Sequence, residues 1–527
     1  MLIGGKYDDL NMMLIVMLGV SLLTIVVQSI REWVIAGTFI KIDIDMIMSF
    51  YRHVFRLPMR YFATRKVGDI LTRAGENQVI RHFLVTNSMN AILNVITIVV
   101  YIGIMFAYNV TLAWIALMFI PCFIALTLIV TPLLKRNSRK QFQADVNLQN
   151  ILVETICVMR TVKALAAEDE ARKKVERSFR QSTYVQMKGW KISIFSGSIA
   201  TVLQTLSAVT VLYAGAGFII VEKLTVGELM AFSAVYALVT NAALGLIGIW
   251  DEFQNVRIAL ERLDDVFETE VEEVSSAGLT ALPKLQGAIE FERVSFRYDS
   301  DGKNVLQNIS FDLLPGQTIA IVGRSGSGKS TLANLLLKLY LPSSGTIRID
   351  GHDLKQVQAS TLRKQIGVVQ QEAGLFSGTI HDNIAYQVPD ASMDEVMSAS
   401  MLAGAHEFIV TFPNGYDTQV GERGASLSGG QRQRIAIARA LIGSPKVLIF
   451  DEATSALDNE SEKTIQRNMS TILNNRTTLI IAHRLSTIRH ADRILVLDQG
   501  VIAESGTHEQ LMATKGLYHM LVSQPLD

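Results

Sequence analysis

The chain has 527 residues, 49 Lys and Arg against 49 Asp and Glu, and a mean hydropathy of +0.29. Its length would suit three or four soluble domains, but a positive mean hydropathy means that lipid solvates much of the chain. Zero net charge argues against a basic surface for nucleic acid phosphates, and with only Cys122 and Cys157 there is no disulfide framework.

Leu10 to Ile30 are 21 residues without a charge, which as a helix reach about 30 Å, the thickness of one bilayer core. No basic region precedes this run and no small-residue cleavage pattern follows Ile30, so it is not a cleavable signal peptide. Phe83 to Leu134 are 52 uncharged residues interrupted by the turn-like Tyr108 and Asn109, too long for one span and right for a hairpin of two. Ile192 to Val221 and Leu229 to Trp250 are uncharged over 30 and 22 residues, separated by Glu222 and Lys223. The expectation is five membrane spans. Buried core helices of a soluble protein rarely stay free of charge so long.

Orientation follows from loop charge. The loop from Arg31 to His82 is rich in arginine and the loop from Lys135 to Lys191 carries thirteen Lys and Arg, whereas the Tyr108 turn has none and the Glu222 turn has one. The long loops are therefore expected in the cytoplasm, with the N-terminus outside and everything after Trp250 inside. Apolar residues at three and four spacing, such as Leu152, Ile156, Met159, Val162 and Leu165, predict that the membrane helices extend into the cytosol. No Asp, Glu, Lys or Arg lies within the five spans, so a proton or ion relay of the usual kind is lacking. The energy source must lie elsewhere in the chain.

A polar segment from Glu270 to Pro283 precedes a change to alternating short apolar strands and helical stretches, an α/β pattern of about 240 residues. The expected division is a helical membrane domain at residues 1–268, a linker at 269–286 and an α/β domain with a helical subdomain at 287–527, of the P-loop kind on the motif that follows. Within the last, the apolar Ile319 to Val322 leads into Gly323, Arg324, Ser325, Gly326, Ser327, Gly328, Lys329, Ser330 and Thr331, followed by a helical stretch. This is the GxxxxGK[ST] pattern in its strand, loop and helix context. The glycines let backbone N–H groups converge on phosphate oxygens, Lys329 adds a charge near the β and γ phosphates, and Ser330 offers a hydroxyl to Mg²⁺. A second apolar strand, Val447 to Phe450, ends in Asp451 and Glu452. Asp451 is placed to hold Mg²⁺ and Glu452 to polarise the attacking water.

Further motifs resemble the ATPase of ABC transporters. Leu427, Ser428, Gly429, Gly430 and Gln431 look like the family signature, Ser455 to Asp458 like the loop after the second strand motif, and His483 like the switch histidine. Gln371, or the adjacent Gln370, resembles the glutamine whose loop senses nucleotide and contacts the membrane domain, Gln371 being also expected at the metal, and Tyr298 resembles the aromatic that stacks on adenine. The serine and glycine amides of the signature are expected to form an anion site at a helix N-terminus, which in this family serves the other subunit's ATP. Arg60 to Phe62 with Val67 to Ile70 looks like the first coupling segment of an exporter, Glu154 to Lys163 like the helix after the second, and Thr418 to Gly424 like an exporter motif. Within exporters, Trp250 to Leu263 resembles the type I secretion and peptidase-containing transporters of toxins and bacteriocins.

The resemblance implies ATP-driven export of a peptide or protein, with ATP and Mg²⁺, by a homodimer or a pair with a related half-transporter. The implied setting is the inner membrane, with a periplasmic adaptor and an outer-membrane channel as partners and no nucleic acid. A lipid or drug exporter, or an ATP-binding remnant without transport, shares these motifs. A soluble ABC-type ATPase acting on DNA or ribosomes would not carry five charge-free spans. Such half-transporters have six membrane helices and often an N-terminal peptidase; the resemblance implies that the first helix and the peptidase are missing here, and no protease activity is expected.

Overall fold

In lipid a backbone N–H or C=O finds no water, so a charge-free run closes its hydrogen bonds within a helix. The computed structural model describes residues 7–273, 278–299, 301–421, 424–452, 459–482, 488–489 and 491–523. The chain forms two compact units, Met1–Glu272 and Glu273–Asp527. Among the described residues five helical stretches of the first unit are long and apolar enough to cross a membrane, as the charge-free runs imply.

The first is α1 (Tyr7–Val54), 48 residues or about 72 Å, whose apolar side chains between Leu14 and Ile30 are exposed as a lipid-facing helix requires. The short α2 (Met59–Thr64) leads to α3 (Val67–His82), a π-turn at Phe83–Asn87 and α4 (Ser88–Tyr108). The hairpin turns at Asn109, which is extended (φ −160°) and whose side chain accepts from the Leu112 N–H at 3.0 Å, capping α5 (Val110–Leu117). A second break at Met118 and Phe119 precedes α6 (Ile120–Cys157), where Pro121 suits a first turn because it has no N–H to satisfy. After α7 (Met159–Ala164), α8 (Glu168–Ile220) runs 53 residues. Thr225 and Glu228 form a capping box that starts α9 (Val226–Phe267). The helices of the spans thus run on through the charged stretches, but the periodic run from Leu152 to Leu165 is broken at Val158, so that Leu152 and Ile156 end α6 while Met159 and Val162 lie in the separate α7.

In this unit α4 packs along α9 and α6 along α8. Met105, Leu112, Val211 and Phe232 form a core near the hairpin turns, and Phe50, Val54, Ile80 and Val266 a second at the opposite end. Beside the latter, Asp265 on α9 takes two bonds from Arg65 (2.8 and 3.2 Å) and is bonded by Arg73, while Arg262 pairs with Glu76 at 2.5 Å. These ion pairs tie the end of α9 to α3.

The second unit is built on parallel strands: β3 (Thr318–Gly323), β6 (Ile366–Val369), β9 (Val447–Asp451), β10 (Thr477–Ile481) and β11 (Arg493–Asp498), with β12 (Val501–Gly506) antiparallel at one edge. Their order is β12-β11-β3-β10-β9-β6. The apolar runs are continuous because both faces are covered. Ala320, Val322, Leu448, Phe450 and Ile480 face one core, and Ile319, Ile321, Val447, Ile449 and Leu479 the other. The second core is closed by an antiparallel sheet of β1 (Ile289–Phe296), β2 (Leu306–Leu313), β4 (Ser344–Ile349) and β5 (His352–Asp353), and a ribbon of β7 (Gly378–Thr379) and β8 (Gln419–Val420) lies apart. The polar segment before β1 is bonded to this unit: Thr280 N–H donates to the Gln356 carbonyl at 2.7 Å and Leu285 N–H to Gln365 Oε1 at 2.9 Å.

Candidate nucleotide site

The strand β3 delivers the glycine-rich loop at the C-terminal edge of the sheet, where ligands of open parallel sheets bind. A Cβ on Gly323 would lie 2.2 Å from the Leu497 carbonyl oxygen, so the loop can leave the sheet only through glycine. Gly326 (φ +79°) and Gly328 (φ +102°) turn the chain through left-handed backbone, and α10 (Lys329–Leu336) begins at once. Arg324, Ser325, Gly326 and Ser330 are exposed along the loop, while Ser327, Lys329 and Thr331 are buried.

Lys329 Nζ donates to the Gly323 and Arg324 carbonyls, each at 2.9 Å, so the ammonium is folded into its own loop. Burial pushes its pKa down, and the carboxylates of Glu452 and Asp451 oppose that shift. The buried Ser327 Oγ makes no hydrogen bond. An orphaned hydroxyl and a cation bound only to neutral carbonyls, beside a helix N-terminus, fit a phosphate group.

Ser330 Oγ donates to Asp451 Oδ1 at 3.2 Å, placing two hard oxygen donors together at the loop, the chemistry Mg²⁺ takes when phosphate oxygens and water complete its shell. Glu452 follows in left-handed backbone (φ +50°), unusual for a residue with a Cβ. Its N–H is held by the Ile481 carbonyl at 2.9 Å, and its Oε2 accepts from Gln371 Nε2 at 2.6 Å. Of the two adjacent glutamines, then, Gln371 meets the carboxylate, whereas the Gln370 carbonyl accepts from Gln433 at 3.5 Å.

Tyr298 is 38% exposed, its hydroxyl 3.1 Å from Thr331 Oγ1 and its ring edge-on to Phe296 and Tyr340. The phenol thus stands beside α10 with much of its surface in solvent. Ser428 caps the helix Gly429–Leu441 through a capping box with Gln431: Gln431 N–H donates to Ser428 Oγ at 3.2 Å and Ser428 N–H to Gln431 Oε1 at 2.9 Å. In this structure the Ser428 amide is taken up by the cap, while the amides of Gly429 and Gly430 have no intrahelical acceptor. Asp458 and His483, the loop from Ser455, and Glu422 and Arg423 lie outside the described residues. Sequence reasoning did not anticipate the Gln371 to Glu452 bond, and only the position of both residues at strand ends pointed to it.

Residues 1–243 match the ABC transporter transmembrane region and residues 306–455 the ABC transporter family. The chain is 43% identical, over 99% of its length and 73% of the relative's, to the cyclolysin secretion/processing ATP-binding protein CyaB of Bordetella pertussis. It is 41% identical to the alpha-hemolysin translocation ATP-binding protein HlyB of Escherichia coli O157:H7, over 98% of this chain and 72% of that one. The structure of a bacterial Atm1-family ABC exporter with ATP bound superposes with a TM-score of 0.88 at 31% identity, covering 94% of this chain and 87% of that chain. The chain belongs to the ABC transporters, as an exporter-type membrane region fused to an ATPase that couples ATP hydrolysis to transport.

Proposed function

We propose that the cargo is a polypeptide, exported through the inner membrane by a dimer of this chain or by a pair with a related half-transporter. The cargo assignment is supported by the relatives, whose names speak of cyclolysin secretion and alpha-hemolysin translocation. The same relatives favour a periplasmic adaptor and an outer-membrane channel as partners. In this account residues 1–268 are the membrane domain, 269–286 the linker and 287–527 the ATPase.

The observation that carries the ATPase chemistry is the pair of contacts at the end of β9, Ser330 with Asp451 and Gln371 with Glu452. Ser330 and Asp451, with Gln371 beside them, would hold Mg²⁺, which neutralises phosphate charge when bound. Lys329 leaves its loop carbonyls for the β and γ phosphates, and the amides from Gly323 to Thr331 hold the remaining oxygens. Tyr298 stacks on the adenine. Glu452, oriented by Gln371, accepts the proton of the attacking water, with His483 and Asp458 assigned by resemblance to the same site. Each composite site takes the phosphate loop of one chain and Ser428 to Gln431 of the other, so nucleotide is an interface ligand that favours closure.

Mixing Lys329→Ala chains with Ser428→Arg chains tests the composite sites. A mixed dimer rebuilds at most one of two sites, so activity should rise above either variant alone and stay at or below about half of the parent. Activity that stays proportional to chain concentration at a monomeric mass would overturn the dimer.

A further inference from the structure

The helices α8 and α9 are joined by the turn at Glu222 and Lys223 and run back antiparallel. Near that turn their seam is closed. Ser207 and Val211 are buried, and a Cβ on Gly215 would lie 2.2 Å from the Leu229 side chain. Three residues before Ser207 the seam carries a pair of side-chain amides, Gln204 Nε2 donating to Asn241 Oδ1 at 3.2 Å. Asn241 is exposed and Gln204 half-buried. Gln204 lies about 18 Å along its helix from Ile192, and Asn241 about 14 Å from Trp250, so both sit near the middle of charge-free runs.

Amides that merely hold membrane helices together lie inside the helix interface, and an amide facing hydrocarbon would lose its hydrogen bonds. At this depth an exposed pair has to meet either another protein surface or the water of a cavity between chains, and its unspent hydrogen-bonding groups favour water. The neighbouring hydroxyls of Thr201 and Thr205 are spent on the carbonyls of Gly197 and Thr201. The amide pair is not spent: its mutual bond uses one donor and one acceptor, leaving the Gln204 carbonyl oxygen and N–H groups on both side chains.

We propose that the Gln204–Asn241 pair binds the main chain of an extended polypeptide at the apex of the transport cavity, where the α8–α9 seam closes. Neutral amides match the alternating N–H and C=O groups of a peptide whatever its side chains, which suits a carrier of unfolded protein. The proposal rests on the polypeptide assignment above.

Its test is peptide-stimulated ATPase of the full chain in lipid vesicles, each variant normalised to its own basal turnover. The probe is an unstructured peptide of about 30 glycine and serine residues, with a counterpart N-methylated at alternate positions to remove main-chain donors. The parent should need about tenfold more of the methylated peptide for half-maximal stimulation, the loss expected of one or two neutral hydrogen bonds. Combining Gln204→Leu with Asn241→Leu should raise the requirement for the plain peptide about tenfold and erase the distinction. The exchange Gln204→Asn with Asn241→Gln keeps both amides and should keep the distinction, which separates recognition from a folding defect. Leucine variants that still discriminate would overturn the amide assignment and leave the cargo assignment standing. A parent that neither peptide stimulates would overturn the cargo assignment, and this proposal with it.

Discussion

Gln371 Nε2 donates to Glu452 Oε2 at 2.6 Å, joining the segment after β6 to the carboxylate after β9. Glu452 is also fixed from behind, by its N–H on the Ile481 carbonyl and by a left-handed backbone. A carboxylate held on two sides has little freedom to turn from the phosphate loop, as a group that polarises water requires.

Glu452→Gln should therefore keep ATP binding and lose hydrolysis by at least about 10²-fold, within the 10² to 10⁴ that a positioned base supplies. Gln371→Ala leaves the carboxylate and removes one support, so its loss should be nearer tenfold. In the double variant the losses should not add, because the two groups act together. Steady-state turnover alongside equilibrium nucleotide binding checks this, and turnover of Glu452→Gln within a few-fold of the parent would remove Glu452 from the role.

Lys329→Ala should weaken nucleotide binding itself. The ammonium is held in its loop by two neutral carbonyls, a poor exchange for a phosphate, so bound nucleotide gains a charge-assisted bond worth about 1.5 to 3 kcal/mol. A tenfold or greater rise in the dissociation constant is expected by direct titration. Unchanged affinity would place the phosphates elsewhere.

Asp265 gives a pH dependence with a definite sign. The bond from Arg65, supplemented by Arg73, holds its pKa at about 2 against an ordinary 3.8. A depressed carboxyl pKa stabilises the fold fully above 3.8, and the contribution is lost as pH falls from there through about 2. The side chain is 48% exposed, so solvent screening keeps the effect to about 1 kcal/mol or less. Asp265→Asn should lower the apparent melting midpoint at neutral pH, with the gap to the parent closing towards pH 2. An equal gap at both pH values would mean that Asp265 contributes through packing rather than charge.

Much of this was written in the sequence, because bilayer and phosphate both impose local rules. The runs Ile192 to Val221 and Leu229 to Trp250 mark helices by lacking charge, and Gly323 to Thr331 mark a loop whose glycines permit only one path. The π-turn at Phe83–Asn87 and the break at Met118 escaped notice, since apolar runs bury the same surface whether or not the helix is interrupted. Pairings across long separations were also silent. Asp350 accepts from the N–H groups of Gln286, Gly287 and Ala288, and Gln204 meets Asn241, yet each reads locally as an ordinary polar residue. Ser428 and Gln431 were legible as a signature but not as partners in a cap, since the same two residue types serve both purposes.

The central claim is that ATP hydrolysis moves a polypeptide across the membrane. Vesicles with the ATPase outward, given an unfolded polypeptide and ATP, should accumulate polypeptide that resists added protease, whereas vesicles with the Glu452→Gln variant should not. ATP hydrolysis without protected polypeptide, accompanied by ATP-dependent movement of a fluorescent lipid or an apolar dye, would contradict it.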